Sequence, residues 1–409
     1  MEQAVRKIAL LGMGTVGGGV YEIIERQKEE MPFKIGAALE VVKVLVRNKA
    51  KYADRIPAEK LTDVWEDVIG DDSIDIVVEV MGGIEPARTY IKAALEKGKH
   101  VVTANKDLMA MHGHELLELA GEHHCDLLFE AAVAGGIPII RPLKQCLAGN
   151  NITEIMGIIN GTTNFILTKM KEDGMDFGEA LQLATDLGYA EADPTADIEG
   201  YDAGRKLAIM ASIAFHTSVT FDDVFTEGIT KITAKDMRYA KEMGCSIKLL
   251  GIAKNTETGI EVKVHPTMIP ENHPLAAVND SFNAVFVHGD AVDDAMFYGS
   301  GAGKLPTASA VVADVVDEAK HLHRNIMTNW SSYALKLMDM DEVEGRFFVR
   351  VSDTTMDEVE KAFGDVQTIE PDDLPDEFGF ITPVMKQAEY YEKISKLTGK
   401  VLAMIRVKD

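Results

Sequence analysis

Lys7-Ile-Ala-Leu-Leu11, followed at once by Gly12-Met13-Gly14-Thr15-Val16-Gly17, is the stretch that decides the fold. Residues 8–11 are apolar and stop at glycine, so they read as a short buried strand, and a helical pattern runs from there to about Glu29. The three glycines answer different demands. Gly12 permits the tight turn, Gly14 lets backbone approach a pyrophosphate, and Gly17 lets the helix pack close on the strand, with phosphate charge facing the helix N-terminus. In this strand-turn-helix setting the motif is a dinucleotide site, with Met13, Thr15 and Val16 between the glycines.

Outward from this motif, short β-branched runs alternate with helical stretches: Val41 to Val46, Ile74 to Val80, His100 to Thr103 and Asp126 to Phe129. Strands separated in this way build a parallel sheet through right-handed crossovers. The expected fold class is therefore α/β, opening with a Rossmann-type doubly wound parallel sheet over residues 1–130, to which a segment at about 304–330 returns. From Ala131 to Gly303 the texture changes to long helices (Asp176 to Leu187, Tyr201 to His216, Ala234 to Gly244) with strands such as Ile260 to Val264 and Asn283 to Val287. That predicts an α+β catalytic and dimerisation domain. Residues 331–345 read as a linker, and 346–409 carry a β-α-β-β-α-β pattern. Prolines in Glu370 to Glu377 make that acidic segment a loop.

Composition narrows the function classes. The chain has 409 residues and a formal charge of −24, which argues against nucleic acid as a partner. At roughly 150 residues per domain, the length implies two or three domains. Cys125, Cys146 and Cys245 are too few and too scattered for a disulfide framework or a cysteine zinc site, so a cytoplasmic location is expected. No apolar run approaches the about 20 residues of a spanning helix, so no membrane association is expected.

Further positions carry candidate chemistry. The second strand ends Val46-Arg47-Asn48-Lys49 with no acid before Asp54, so Arg47 favours the 2′-phosphate of NADP, with NAD as the alternative. Lys106, in Thr103-Ala-Asn-Lys106, follows a strand's carboxyl end, where ligands of such sheets bind, and Gly82 and Gly83 bring backbone near the same crevice. Asp202 and Lys206 are four apart, on a helix face continued by Ile209 and Ile213. Burial there would desolvate the lysine and suit it to proton transfer; an ordinary helix ion pair is the alternative.

The run Ala184-x3-Gly188-Tyr-Ala-x2-Asp193-Pro194-x2-Asp197-Ile-x-Gly200-x-Asp202-x3-Lys206 resembles the signature of the homoserine dehydrogenase family. Thr103 to Lys106, Glu130 to Pro138, Asn160-Gly-Thr-Thr-Asn164 and Gly299-Ser-Gly-Ala-Gly303 agree, in the family's order, over roughly residues 7 to 325. The resemblance implies NAD(P)H-dependent, reversible reduction of L-aspartate 4-semialdehyde to L-homoserine, in threonine and methionine biosynthesis. It implies Lys206 and Lys106 as catalytic groups, Glu191, Asp202, Gly161 and Thr162 at the substrate, and Gly303 beside the cofactor. It further implies a monovalent cation, sodium, at Glu130, Val133, Gly135 and Ile137, and assembly as a homodimer or homotetramer.

The C-terminal pattern resembles an ACT-like regulatory domain, for which threonine is the implied effector. Its first turn reads Ser352-Asp-Thr-Thr355, without the Pro and Gly of that pattern, so oligomer packing is the competing role. Two other readings of the whole chain remain open at this point: a reductase of another semialdehyde or oxo acid, and a non-catalytic sensor of NADP and an amino acid.

Overall fold

Strand β1 (Ala4–Leu11) holds Ile8, Ala9, Leu10 and Leu11 wholly out of solvent, as a parallel strand must when helices cover both faces of its sheet. The structure, a computed structural model, describes residues 4–322, 330–331, 333–371 and 374–408. β1 pairs in parallel with β2 (Ala37–Leu45) on one side and, beyond β3 (Leu61–Thr62) in the chain, with β4 (Ile76–Glu79) on the other. Adding β5 (His100–Thr103) and β6 (Leu127–Leu128) gives the order β3-β2-β1-β4-β5-β6. Strand order reverses between β1 and β4. Their carboxyl ends therefore flank the crevice in which doubly wound sheets hold ligands.

The helix Thr15–Arg26 leaves β1 as expected, and the helix Lys304–His321 returns to pack against it. A Cβ on Gly19 would sit 2.7 Å from the Lys304 carbonyl, so the two helices meet backbone to backbone. Lys304 closes the contact with an ion pair to Glu22 at 2.6 Å. This first compact unit comprises Met1–Asn150, Ala208–Phe221 and Gly299–Ala334, so it runs past the expected edge at residue 130. The cause is local, because the Glu130 side chain takes the amides of Ile139, Ile140 and Arg141 and ties that stretch to the end of the sheet.

The second unit, Asn151–Leu207, Asp222–Tyr298 and Leu335–Asp409, is built on one mixed sheet. Its strands are β7 (Ile152–Ile158), β8 (Phe225–Thr226), β9 (Cys245–Thr256), β10 (Gly259–Pro270), β11 (Phe282–Gly289), β12 (Asp293–Ser300), β13 (Glu344–Ser352), β14 (Gln367–Ile369), β15 (Glu377–Ile381), β16 (Met385–Lys386) and β17 (Lys400–Val407). They run β12-β11-β7-β9-β10-β17-β13-β15-β14, with β8 on β10 and β16 on β13. The long β9–β10 hairpin was only partly legible as Ile260 to Val264. Residues 245–253 are buried without a break, which erases the two-residue alternation that marks a half-buried strand.

The last stretch folds as β13, helix Met356–Phe363, β14, β15, helix Gln387–Ile394 and β17. The order β17-β13-β15-β14 is that of a split β-α-β sheet. It continues the neighbouring sheet, because β17 pairs in parallel with β10 at Thr267↔Arg406 and Met268↔Val407. Part of the expected linker also lies along β10: the Ile260 amide donates to the Lys336 carbonyl at 2.8 Å and Met338 returns the bond at 2.9 Å. Among the described residues no helix is long and apolar enough to cross a membrane.

Arg350 on β13 locks this junction. Its guanidinium donates to Asp236 at 3.0 Å and Glu377 at 2.9 Å, and all three side chains are at most 7% exposed. Replacing Arg350 by Met leaves the buried Asp236 carboxylate without its cation and Glu377 with Lys235 alone, so unfolding stability in urea should fall by about 3–5 kcal/mol. A loss under about 1 kcal/mol would show that the pair is solvated in solution.

Candidate active site

β7 ends at the turn that begins the site. Asn160 caps the helix Gly161–Glu172, its Oδ1 accepting the Thr163 amide at 2.9 Å. With the oxygen fixed there, the Nδ2 group faces the opposite way and donates to Asp197 at 2.7 Å and to Asp202 Oδ2 at 2.9 Å. Asp202 opens the helix Tyr201–Ala214, and Lys206 follows one turn later. Lys206 Nζ donates to Asp202 Oδ2 at 2.6 Å and to the Ile159 carbonyl at 2.9 Å, with the lysine side chain only 12% exposed. An ammonium has three donors. Among the described residues these two contacts leave one N–H for an incoming oxygen.

The neighbouring predicted residues fall on the same turn. Gly161 is required, since a Cβ would lie 2.7 Å from the Ser281 carbonyl, and Thr162 Oγ1 donates to the Tyr189 carbonyl at 2.8 Å. Glu191 stands two residues beyond Tyr189, exposed on the loop. Asn160 and Asp197 are the residues whose side-chain role the sequence reading missed. Both sit inside quoted motifs, but only the fold brings a cap and a loop acid onto one amide.

The remaining predicted positions belong to the first unit. Gly12 has φ +98°, and a Cβ there would sit 2.9 Å from the Val80 carbonyl, while one on Gly17 would sit 2.3 Å from the Gly12 carbonyl. Among the described residues a Cβ on Gly14 would meet nothing within 4 Å, and no side chain caps the helix that Gly14 begins. Open space beside uncapped helix amides fits a pyrophosphate. Met13, Thr15 and Val16 lie in this turn, and Arg47 is exposed just past β2.

Across the crevice, Glu79 is fully buried at the end of β4 and accepts the Met81 amide at 2.7 Å and Thr103 Oγ1 at 2.6 Å. Asn105 then donates to the Gly83 carbonyl at 2.6 Å and caps the helix Lys106–Glu122. Lys106 is thereby held, half-buried, at the first helical position, and Gly82 lies in the turn that Glu79 shapes. Gly303, at φ +121°, precedes the returning helix.

The expected cation turn is braced at its first residue. Glu130 Oε1 accepts the amides of Ile139 (2.6 Å) and Ile140 (2.7 Å), and Oε2 accepts that of Arg141 (2.8 Å). Its carboxylate therefore ties the turn to residues 139–141, an arrangement compatible with ion ligation because ligating carboxylates are themselves hydrogen-bonded. Val133, Gly135 and Ile137 contribute main-chain oxygens only, and Gly135 is pressed so close to Gly301 that a Cβ would lie 2.3 Å from that carbonyl. Behind the turn, burial and the Glu130 charge push Asp314 up to about 8, opposed by Arg141. A second buried trio, His100, Asp126 and Glu318, pairs His100 Nδ1 with Glu318 at 2.7 Å. Burial raises the carboxyl and lowers the imidazole, which fits a neutral structural contact.

A parallel dinucleotide sheet joined to a lysine-and-carboxylate site defines an NAD(P)-dependent oxidoreductase. Sequence comparison sharpens that class. Residues 12–130 match the family profile described as "Homoserine dehydrogenase, NAD binding domain", and residues 138–316 match "Homoserine dehydrogenase". The homoserine dehydrogenase of Bacillus subtilis is 46% identical over 349 residues, 84% of this chain and 81% of that one. The crystal structure of a homoserine dehydrogenase from Thiobacillus denitrificans superposes with TM-score 0.92 at 41% identity, covering 100% of this chain and 99% of that one. A hyperthermophilic archaeal homoserine dehydrogenase solved in complex with NADPH matches at TM-score 0.66 and 28% identity, over 77% of this chain and 97% of that one. The chain belongs to the homoserine dehydrogenase family. It acts on a CH–OH group in the threonine and methionine branch of biosynthesis.

The site turn rests on a buried lysine. Lys248, on β9, donates to the Val278 carbonyl at 2.6 Å, to Asn279 at 3.0 Å and to Asn164 at 3.2 Å, while Asn164 holds the Val278 and Phe282 carbonyls. Burial, with the Lys171 charge adding, pushes Lys248 down to about 8. Below that pH both folded and unfolded chains keep the proton. Between it and the unfolded value of about 10.4 the unfolded chain binds more protons, so this group's contribution to stability rises with pH, by at most about 1.4 kcal/mol per unit. Urea denaturation across that window should show the rise in the native protein and its loss in Lys248→Met; identical pH dependence in the two would contradict the assignment.

Proposed function

We propose that Lys206 moves the proton when L-aspartate 4-semialdehyde and L-homoserine are interconverted. One observation carries this reading: the ammonium is fixed between Asp202 and the Ile159 carbonyl with one N–H left over. In the reducing direction that N–H donates to the aldehyde oxygen as it gains charge; in the oxidising direction the neutral amine takes the hydroxyl proton. The bound nicotinamide supplies or accepts the hydride. Lys106, at the first position of its helix beyond β5, is assigned to the same oxygen or to the cofactor. Asp202 and Glu191 are assigned to the substrate's ammonium, and the amides of Gly161 and Thr162 to its polar groups.

NADP is the proposed cofactor over NAD. Arg47 stands at the end of β2, where a guanidinium pairs with a 2′-phosphate, and the solved archaeal relative holds NADPH. Gly12 to Gly17, Gly82 and Gly303 would hold the dinucleotide through close backbone approach. A sodium ion in the 130–137 turn is proposed on Glu130 together with main-chain oxygens of Val133, Gly135 and Ile137; its role would be structural. Further parts of the reading are a homodimer or homotetramer, an ACT-like C-terminal module with threonine as effector, and a reducing, cytoplasmic setting, the last supported by three free cysteines.

Replacing Lys206 by Ala should lower kcat for homoserine oxidation by about 10²–10⁴ while NADPH binding, read by fluorescence titration, stays within about twofold. Near-native kcat would remove the assigned role. Arg47→Ala should raise KM for NADP by about tenfold with KM for NAD unchanged; equal shifts would place the phosphate elsewhere.

A further inference from the structure

The second unit contains a cavity of about 150 Å³, roughly five waters' worth at about 30 Å³ each. It is lined from both β10 and β17, which pair at only two registers. Alternate residues of one face of β10, Lys263, His265 and Thr267, line it together with Lys254, Arg406 and Lys408. Arg346 and Glu344 add one charge of each sign, and the other acid in the lining is Glu154.

Cations outnumber acids here although the chain as a whole is strongly acidic. Glu154 alone serves both Lys254 (3.6 Å) and Lys408 (3.2 Å). Lys263 pairs with Glu261 at 2.7 Å and Arg406 with Glu227 at 2.7 Å. The positive field is felt inside: Lys263 is lowered by burial against the opposing pull of Glu261, with Lys254 and Arg406 adding to the fall, and His265 is lowered by burial and then by Arg406 and Lys263.

His265 supplies a second, independent indication. It is 2% exposed, and its Nδ1 lies 3.0 Å from both the Pro266 carbonyl and Thr267 Oγ1; because the Thr267 hydroxyl can donate to the His265 carbonyl at 3.3 Å, a proton on Nδ1 is the arrangement that satisfies all three contacts. Its Nε2 is then a bare acceptor, buried and without a partner among the described residues. Such an atom calls for a donor from whatever fills the space.

We propose that this cavity binds a small oxyanion, a carboxylate or phosphate, that also carries an O–H or N–H group, with Lys408, Lys254 and Arg406 taking the charge and His265 Nε2 accepting the donor. The site has a physical route to the active site within the same unit. A bound oxyanion competes with Glu227 for Arg406, the Ile229 amide two residues on donates to the Ile198 carbonyl at 2.8 Å, and Asp197 precedes that residue on the turn held by Asn160. This coupling rests on the Asn160–Asp202–Lys206 reading; the binding site does not.

The test is calorimetric titration of the full chain at neutral pH, with NADP present to fill the Gly12 to Gly17 turn. The probes are inorganic phosphate, glycolate, glycine, sulfate and chloride. Phosphate, or one of the two carboxylates with a donor group, should bind saturably, and whichever is tighter identifies the chemistry. Sulfate, which lacks an O–H at this pH, should bind at least tenfold more weakly than phosphate. Lys408→Gln, at a partly exposed position, should weaken binding by about tenfold while leaving the unfolding temperature of the probe-free protein unchanged, and Lys254→Gln should repeat it. No saturable binding, equal binding of sulfate, or undiminished binding in both variants would overturn the site. Probe saturation should shift KM for homoserine by about fivefold; binding that leaves KM and kcat untouched would overturn the coupling.

Discussion

A lysine ammonium placed 2.6 Å from a carboxylate and 2.9 Å from a main-chain carbonyl can be kept in one position only if both acceptors are themselves held. In this protein Asn160 does that holding. Its carbonyl oxygen is committed to the start of a helix, which forces its amide toward Asp197 and Asp202 together. A strand end, a helix start and a loop acid are thus joined by one side chain. The ammonium keeps a free N–H because its other two are spoken for, and this is what proton transfer to a carbonyl oxygen requires.

The first unit solves an analogous problem with an acid. Glu79, buried where β4 ends, draws in the following turn and the Thr103 hydroxyl, and Asn105 extends the same network to Gly83. The turns that flank the strand-order reversal are fixed before any ligand arrives. Glu130 applies the same device to residues 139–141. In each case a buried carboxylate or carboxamide replaces water around backbone amides, so loops near the chemistry are as well satisfied as the sheet.

Much of this was legible in the sequence. The glycine turn after β1, the strand at His100 to Thr103, the Asp202 and Lys206 pair and the order of family motifs are local signals, and local signals survive without coordinates. What escaped was non-local. The β9–β10 hairpin lost its alternation because both its faces are covered. Continuity of the C-terminal module with the main sheet rests on two residue pairs between β10 and β17, which no spacing rule records. Asn160 and Asp197 were visible as motif letters, but their meeting needs the turn before Tyr201 to fold back on the end of β7. The Glu130 carboxylate, expected at an ion, also holds amides that follow it by nine to eleven residues, contacts that no local spacing records.

The most direct test of the central claim is the single-turnover rate of NADP reduction by homoserine in Asp202→Asn, followed by stopped-flow absorbance under saturating substrate. Asn at this position keeps the shape and removes the charge that orients Lys206. A fall in that rate of about tenfold to a thousandfold is expected, with NADP affinity intact. A native rate in the variant would contradict that claim.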